Sequence, residues 1–289
     1  MTEPLRFLVA ESEPAEAREA RRNSVGRSSG ETYLDRLQDL SPGAVCDRVK
    51  PADPGAGWPA PEALAGYDAV FLSGSPLHLY KDSPAVRREL DFMRAVFESG
   101  TPSFGSCAGL QVATVAAGGT VRPGQRGREA GFGRRITLTP SGIGHPLLAG
   151  RPLCYDAPSV HNDEVEMLPP GGTLLASNRV THVQAAEIRC GNGIFWGVQY
   201  HPELTLGEVA AALRRQADEL VESGLAGSHE GLETHAGLIE ALGEEPDRPD
   251  LGWRLGLDPE VTDSHRRMTE LRNFIANLVQ PTRSQRGRA

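Results

Sequence analysis

The first part of the chain alternates short apolar runs with longer stretches of helical periodicity. The apolar runs cover residues 5–10, 69–72 and 102–105, and the helical patterns cover residues 11–22, 33–40, 84–98 and 108–117. Residues 25–30 are rich in glycine and serine and predict a loop. Buried strands that alternate with helices are typical of a parallel sheet with crossover helices. The pattern therefore predicts an α/β fold.

The pattern changes after residue 135, where strands predominate. Short strands are predicted at residues 136–139, 174–176, 183–186 and 194–198, followed by a helix over 206–223. Helical periodicity returns over 261–279, and residues 283–289 are polar, basic and predicted to be disordered. We therefore expect a main domain over residues 1–222, with a strand-rich second part, and a helical C-terminal extension over 223–289.

The composition is that of a globular protein, with 39% hydrophobic and 24% charged residues. No uncharged apolar run approaches the ~18 residues of a membrane span, and no secretion signal is recognisable at the start. We expect a cytoplasmic protein. The 38 acidic and 30 basic residues give a net charge of -8, which argues against nucleic acid as a partner.

The four cysteines are scattered singly, at Cys46, Cys107, Cys154 and Cys190. They form no C-x-x-C pair of the kind that structural zinc requires, and they are too few for a disulfide scaffold. No metal or cofactor is therefore expected. If one cysteine has a chemical role, it acts alone.

Cys107 lies in the sequence G-S-C-A-G, between a predicted strand and a predicted helix. A nucleophile on a sharp strand-to-helix turn needs close backbone approach on both sides, which explains Gly105 and Gly109. The N-terminus of the following helix favours a thiolate, and the Ala108 amide is placed to bind an oxyanion. Taken alone, the pattern also fits a buried structural cysteine beside a packing glycine.

His201-Pro202-Glu203 follows the strand predicted at residues 194–198. A cysteine nucleophile needs a base that accepts its proton, and the base needs a carboxylate to orient it. His201 and Glu203 can fill these roles, although a histidine at a strand end is more often a surface residue.

Ser73-Gly74-Ser75-Pro76 ends the strand at residues 69–72. A turn at this point can direct the backbone amides of Gly74 and Ser75 into the same pocket and supply a second oxyanion donor. The alternative is an ordinary Gly-Pro turn.

Together these motifs resemble the class I glutamine amidotransferase family over roughly residues 5–220, and most closely the glutaminase part of GMP synthetases. Further markers are E-A-G-F-G at residues 129–133 and V-H-N-D at residues 160–163. The resemblance implies an α/β three-layer sandwich around a mainly parallel sheet. One departure is Ser75, which stands where the family commonly has a second glycine.

The resemblance implies that Cys107 attacks the γ-carboxamide of a glutamine-like substrate while His201, held by Glu203, transfers the proton. Water would then hydrolyse the γ-glutamyl thioester. Gly74 or Ser75 and Ala108 would hold the oxyanion. Residues expected at the substrate's amino-acid end are Gln111, Val160 and, on weaker grounds, His161, because a polar loop pair such as His161 and Asp163 is commonly a local turn device.

Three functions remain open from the sequence. The first is a glutaminase that releases ammonia to a separate synthase, since the chain has no Gly-rich phosphate loop and too few residues after the first tail helix for a synthetase domain. The second is a stand-alone hydrolase of γ-glutamyl amides or peptides that releases an amine. The third is an inactive regulatory or binding module, which the intact motifs oppose.

Two segments have no assigned role in this interpretation. The C-terminal extension is expected to wall the site or to form a dimer surface, so a homo-oligomer is a candidate assembly. Residues 21–30 are interpreted either as a polar loop or as a flap over the pocket.

Overall fold

The computed structural model describes residues 3–286. Its strands are β1 Arg6–Ala10, β2 Val45–Val49, β3 Ala69–Leu72, β4 Ser103–Ser106, β5 Thr120–Pro123, β6 Glu129–Leu138, β7 Cys154–His161, β8 Asp163–Met167, β9 Gly172–Ser177, β10 Ala185–Cys190 and β11 Gly193–Val198. Its α-helices are α1 Ala15–Val25, α2 Ser29–Leu40, α3 Pro61–Leu64, α4 Pro84–Ser99, α5 Ala108–Ala116, α6 Leu206–Arg215, α7 Ala217–Glu222, α8 His229–Glu244, α9 Pro249–Leu255, α10 Pro259–Thr262, α11 Ser264–Arg267, α12 Thr269–Phe274 and α13 Gln280–Gln285. A 3₁₀ turn at Pro146–Leu148 and a π-helical turn at Ile275–Val279 complete the helical elements.

Nine strands form one sheet, in the order β2-β1-β3-β4-β11-β10-β9-β6-β7. The strands from β2 to β11 pair in parallel, and those from β11 to β7 pair antiparallel. The predicted α/β fold is confirmed, with the parallel half built from the first part of the chain and β11. The antiparallel half is the strand-rich second part.

Side chains on β1 alternate between two cores, as the period of a strand requires. Phe7 and Val9 enter a cluster shared with α2 and α12, whereas Leu8 and Ala10 enter a cluster shared with α4 and α5. Helices therefore cover both faces of the parallel strands, and β4 and β11 lie in the middle of three layers.

The C-terminal extension supplies part of the core beneath the sheet. The ring of Phe274, on α12, lies 5.4 Å from that of Phe71, 5.5 Å from that of Phe104 and 6.1 Å from that of Trp196. Aromatic pairs at these separations stabilise a core beyond the burial of their area. The extension is thus integral to the packing of the central strands.

A buried ionic network anchors the same extension. The Arg151 guanidinium donates to both carboxylate oxygens of Glu270, at 2.7 and 2.8 Å, and to Glu260 at 2.7 Å. Tyr200 also donates to Glu270, at 2.9 Å. Because Tyr200 lies between β11 and His201, this network also holds the segment that leads from β11 to His201.

The structure corrects the predicted loop at residues 25–30. Only residues 26–28 separate α1 from α2, and Ser28 caps α2 in a capping box with Glu31. The preceding helix begins after Pro14 rather than at Glu11, because a residue before proline is disfavoured in helical conformation.

Two predictions for the later part of the chain also need correction. The helix expected over 206–223 is interrupted at Gln216, and the periodic stretch over 261–279 is split by Asp263 and Met268. Residues 280–285 form α13, so this part of the basic tail is ordered rather than disordered, and residues 287–289 lie outside the described residues. Within residues 3–286, no helix has both the length and the apolar character needed to cross a bilayer.

Candidate active site

Cys107 occupies the turn between β4 and α5 with φ 52°, one of two non-glycine residues at positive φ among residues 3–286. A side chain on Gly105 would meet the backbone of Gly109 at 2.9 Å, and one on Gly109 would meet the Leu72 carbonyl oxygen at 2.7 Å. The glycines are therefore required by close backbone approach, as the sequence predicts. A positive φ with a ψ of -110° is a sparsely populated backbone conformation for a non-glycine residue, and it is typical of a nucleophile elbow.

His201 and Glu203 follow β11 and face the same turn. The His201 backbone amide donates to the Pro158 carbonyl at 2.8 Å, which ties this segment to β7. Nδ1 of His201 lies 2.7 Å from Oε1 of Glu203, and both residues are buried. The orienting contact expected of this pair is therefore present.

The environment of His201 favours its protonated form. Burial alone lowers the pKa of this imidazole, but the Glu203 carboxylate and the hydrogen bond with Cys107 outweigh burial and raise the pKa to about 10. His201 therefore carries a proton at neutral pH. A protonated imidazole in this position can donate a proton to a leaving group.

The residues predicted as oxyanion donors lie on two turns, one against His201 and one directly after Cys107. Within the described part of the chain, the backbone amides of Gly74, Ser75 and Ala108 have no hydrogen-bond acceptor. A β-carbon on Gly74 would lie 2.8 Å from Cε1 of His201, so the turn after β3 passes directly against the imidazole. Free amides beside the nucleophile can bind a developing oxyanion.

A cavity of about 410 Å³ opens over Cys107. It brings together most of the side chains predicted from the sequence: Gly74, Ser75, Cys107, Gln111, Val160, His161, His201 and Glu203. Ala108 lies beneath this lining and is buried. The Val160 carbonyl is 4.0 Å from the Cys107 sulfur, so the β7 strand closes one side of the nucleophile.

Gln111 projects from α5 into the cavity. Its Nε2 donates to the Asp163 carbonyl at 3.1 Å and to Oε1 of Gln199 at 3.2 Å. Both amide hydrogens are thereby occupied, and the side-chain oxygen remains available as an acceptor. This arrangement suits a contact with an ammonium group.

His161 is held by two acceptors. Its Nε2 lies 2.9 Å from Glu129, and its Nδ1 lies 3.0 Å from the Asp163 carbonyl oxygen. Both ring nitrogens are thereby engaged by groups of the chain. The imidazole therefore shapes the cavity wall and has no free nitrogen for a substrate.

Glu129 was noted in the sequence only as part of a motif, without a role. Its buried carboxylate also accepts hydrogen bonds from Asn178 at 2.6 Å and Gln184 at 2.7 Å. Burial raises the pKa of Glu129, but hydrogen bonds from His161 and these amides outweigh burial and lower the pKa overall. The sheet register, which pairs Glu129 with His161 across β6 and β7, brings the two together.

The sequence did not predict the second wall of the cavity. It comes from α1 and α6, with Ala17, Ala20, Arg21 and Arg215. Arg21 donates to Glu208 at 2.9 Å and to Thr32 at 3.1 Å. Residues 21–30 are therefore neither a polar loop nor a flap, because α1 and the start of α2 are fixed by buried contacts.

The C-terminal extension lies outside the cavity over Cys107 but reaches a pocket beside it. Ser223 and Leu225 line that pocket together with residues such as His78, Arg128 and Glu219, which also line the cavity. Of the described residues 223–286, none lines the cavity over Cys107, whose most C-terminal lining residue is Glu219. The physical reason is that α12 packs beneath the sheet, whereas the cavity opens at the ends of β4 and β11.

Fold and site together define an α/β protein with a cysteine on a strand-to-helix elbow beside a buried His–Glu pair. A family model for class I glutamine amidotransferases matches residues 55–219. A γ-glutamyl-L-1-hydroxyisopropylamide hydrolase from a Pseudomonas species is 35% identical over 285 residues, which is 97% of this chain and 95% of that protein. The chain belongs to the class I glutamine amidotransferase family.

Two further relatives mark the limits of the similarity. The GMP synthase of Streptomyces avermitilis is 36% identical over 148 residues, which cover 50% of this chain and 26% of that enzyme. The crystal structure of a Thermotoga maritima glutamine amidotransferase matches with a TM-score of 0.66 at 17% identity, over 96% of this chain and 99% of that one. The predictions of the family, the fold and an enzyme of the class I glutamine amidotransferase type are confirmed.

Proposed function

We propose that this protein hydrolyses γ-glutamyl amides whose leaving group is an amine larger than ammonia. The observation that carries the proposal is the shape of the cavity. It extends past the nucleophile to a wall made by α1 and α6. Ammonia is about the size of a water molecule, on the order of 30 Å³, and needs no such wall.

The order of strands in the sheet supports a two-ended site. α1 follows β1, which lies two places from β4 on the side away from β11. Val160 and Gln111 line the other part of the cavity, where the γ-glutamyl ammonium and carboxylate would bind. In this proposal the γ-glutamyl part binds beside Gln111 and Val160, and the leaving group of a substrate attacked by Cys107 points toward α1.

In the first half of the reaction the Cys107 thiolate attacks the γ-carbonyl carbon. The new C–S bond converts the carbonyl into an oxyanion, which the amides of Gly74 or Ser75 and of Ala108 would bind. His201 gives its proton to the leaving nitrogen, the C–N bond breaks, and the amine departs. The γ-glutamyl group remains as a thioester on Cys107.

In the second half His201, now neutral, takes a proton from water. The resulting hydroxide attacks the thioester, the C–S bond breaks, and the sulfur leaves as a thiolate paired with the imidazolium. Glutamate is released. Glu203 holds the imidazole through Nδ1 and stabilises its protonated form.

The Pseudomonas relative supports the larger leaving group, because its substrate name specifies a hydroxyisopropylamide and its similarity extends through the C-terminal extension. A second candidate is glutaminase activity that supplies ammonia to a separate synthase. The similarity to GMP synthases favours it, although this similarity covers only half of the chain.

Product analysis of the purified protein tests the proposal. Glutamine, γ-glutamyl isopropylamide and γ-glutamyl-1-hydroxyisopropylamide are compared at equal concentration, and glutamate release is measured. We expect kcat/KM for the substituted amides to exceed that for glutamine by tenfold or more, with no activity in Cys107→Ala. Preference for glutamine, especially if it requires an added synthase, would overturn the proposal in favour of the second candidate.

A further inference from the structure

Glu203 has a second hydrogen-bond partner besides His201. The hydroxyl of Ser106 donates to Oε1 of Glu203 at 2.9 Å. Ser106 directly precedes Cys107 and ends β4, where it pairs in register with Val198 of β11. The backbone that positions the nucleophile therefore also positions a contact to the orienting carboxylate.

The chain of hydroxyl groups continues to Tyr33 on α2. The Tyr33 hydroxyl lies 2.7 Å from Oγ of Ser106, and both residues are inaccessible to solvent. Burial first, and the nearby Glu203 charge second, raise the pKa of Tyr33 well above its ordinary value, so the phenol keeps its proton. Because Ser106 gives its single hydrogen to Glu203, Tyr33 must be the donor to Ser106.

The two hydrogen bonds on Glu203 converge on one oxygen. Oε1 accepts from both His201 and Ser106, whereas Oε2 is buried without a partner in the described structure. Without Ser106, only the imidazole would hold the carboxylate. The carboxylate could then rotate, because no group of the described chain donates a hydrogen bond to its second oxygen.

We propose that Tyr33 and Ser106 are positioning residues that hold Glu203 against His201 through a buried chain of hydroxyl groups. Their role in hydrolysis rests on the proposed function, but their effect on the reactivity of Cys107 does not. Ser106 keeps the Glu203 carboxylate in the plane of the imidazole. Tyr33 keeps the Ser106 hydroxyl turned toward Glu203.

The first test measures two rates in the same variants at neutral pH: hydrolysis of a γ-glutamyl amide and alkylation of Cys107 by iodoacetamide. For Ser106→Ala we expect kcat to fall tenfold or more with KM unchanged, and alkylation to slow in parallel. Ser106→Thr, which retains a hydroxyl, should recover most of both rates. Tyr33→Phe should reduce both rates by a smaller factor.

Ser103→Ala is the matched control. Ser103 is a buried serine at the other end of β4, with only a 3.5 Å contact to the Ile194 carbonyl, and its loss should leave both rates within twofold of wild type. Thermal unfolding is measured for every variant. This distinguishes a variant that is folded but slow, because Glu203 is no longer held in place, from a variant that is slow because it does not fold. If Ser106→Ala does not fold, Tyr33→Phe carries the test.

A double-mutant cycle distinguishes positioning from a general structural effect. Because Ser106 acts through Glu203, Ser106→Ala should have no further effect on kcat when Glu203 is already replaced by glutamine. Additive losses would overturn the proposal, as would Ser106→Ala and Tyr33→Phe variants that react within twofold of wild type. If wild type cleaves no γ-glutamyl amide, the proposed function fails, and the alkylation rates still decide this inference.

Discussion

Nδ1 of His201 lies 2.7 Å from Oε1 of Glu203, and only Pro202 separates the two residues along the chain. This short segment follows β11, whose neighbour β4 carries Cys107 at its end. Two adjacent parallel strands thus deliver the proposed nucleophile and the proposed acid–base pair to one edge of the sheet. The reactivity of the site depends on the charge that Glu203 places beside a buried imidazole.

Replacing Glu203 by glutamine should change the pH dependence as well as the rate. In wild type, kcat/KM should stay level through the neutral range and fall as pH rises past about 10, where His201 loses its proton. In Glu203→Gln the carboxylate no longer opposes the effect of burial, so this alkaline limb should move to lower pH. The maximum rate should fall by about 10²–10⁴-fold. If kcat/KM falls at the same alkaline pH in Glu203→Gln as in wild type, the loss of the His201 proton does not cause that fall.

A methyl group at position 74 should disturb the imidazole. The added β-carbon of Gly74→Ala would lie 2.8 Å from Cε1 of His201, so the ring must move. Gly57→Ala is the control, because a β-carbon there meets nothing within 4 Å. We expect Gly74→Ala to lose at least tenfold in kcat/KM with little change in Tm, and Gly57→Ala to match wild type. Equal activity of the two variants would contradict the placement of the turn.

Glu129→Gln should destabilise the fold. The amide nitrogen would replace one of the two acceptor oxygens. It would oppose the Asn178 donor at Oε1, or the His161 and Gln184 contacts at Oε2, at a cost of about 1–3 kcal/mol for each unsatisfied group. Urea unfolding measures this cost, with the exposed Glu98→Gln as a control.

The pH dependence of that cost has a definite sign. The pKa of Glu129 is lower in the folded state than in the unfolded state. The ionised carboxylate therefore stabilises the fold fully above the ordinary pKa of a carboxyl group, and this stabilisation is lost as pH falls through the folded-state pKa. The difference in unfolding free energy between wild type and Glu129→Gln should therefore narrow on acidification. If this difference in unfolding free energy widens on acidification, the pKa of Glu129 is not lowered in the folded state.

Phe274→Ala should destabilise the whole protein, although the residue lies in the C-terminal extension. Its fully buried ring packs against Phe71, Phe104 and Trp196, and removal of such a ring costs about 3–5 kcal/mol. Trp253→Ala, in the same extension but 79% exposed, should stay within about 0.5 kcal/mol of wild type. Similar unfolding free energies for the two variants would mean that α12 does not support the central core.

The turn that carries Cys107 could be predicted because its constraints are local. Glycines at 105 and 109 are needed within a few residues of Cys107, and His201 and Glu203 are nearly adjacent. The alternation of strands and helices likewise predicted the parallel half of the sheet.

The remaining features depend on contacts between distant parts of the chain. Tyr33 fitted an ordinary core position of an amphipathic helix, and its contact with Ser106 spans 73 positions, while that between Ser106 and Glu203 spans 97. The role of Glu129 depends on its register with His161, which the sequence does not encode locally. The helical pattern over residues 11–22 does not reveal which part of the fold α1 packs against, so the cavity wall that α1 forms could not be predicted. Near Ser28 only three residues separate the two helices, rather than the longer loop that the Gly/Ser-rich composition predicts.

The central claim is that Cys107 carries the γ-glutamyl group during turnover. The most direct measurement is intact-mass spectrometry of the protein quenched with acid during hydrolysis of a γ-glutamyl amide, followed by peptide mapping. We predict a mass increase of one γ-glutamyl group on the peptide that contains Cys107, which disappears when substrate is exhausted and never forms in Cys107→Ala. Undiminished hydrolysis by Cys107→Ala, or an adduct on another residue, would contradict the account.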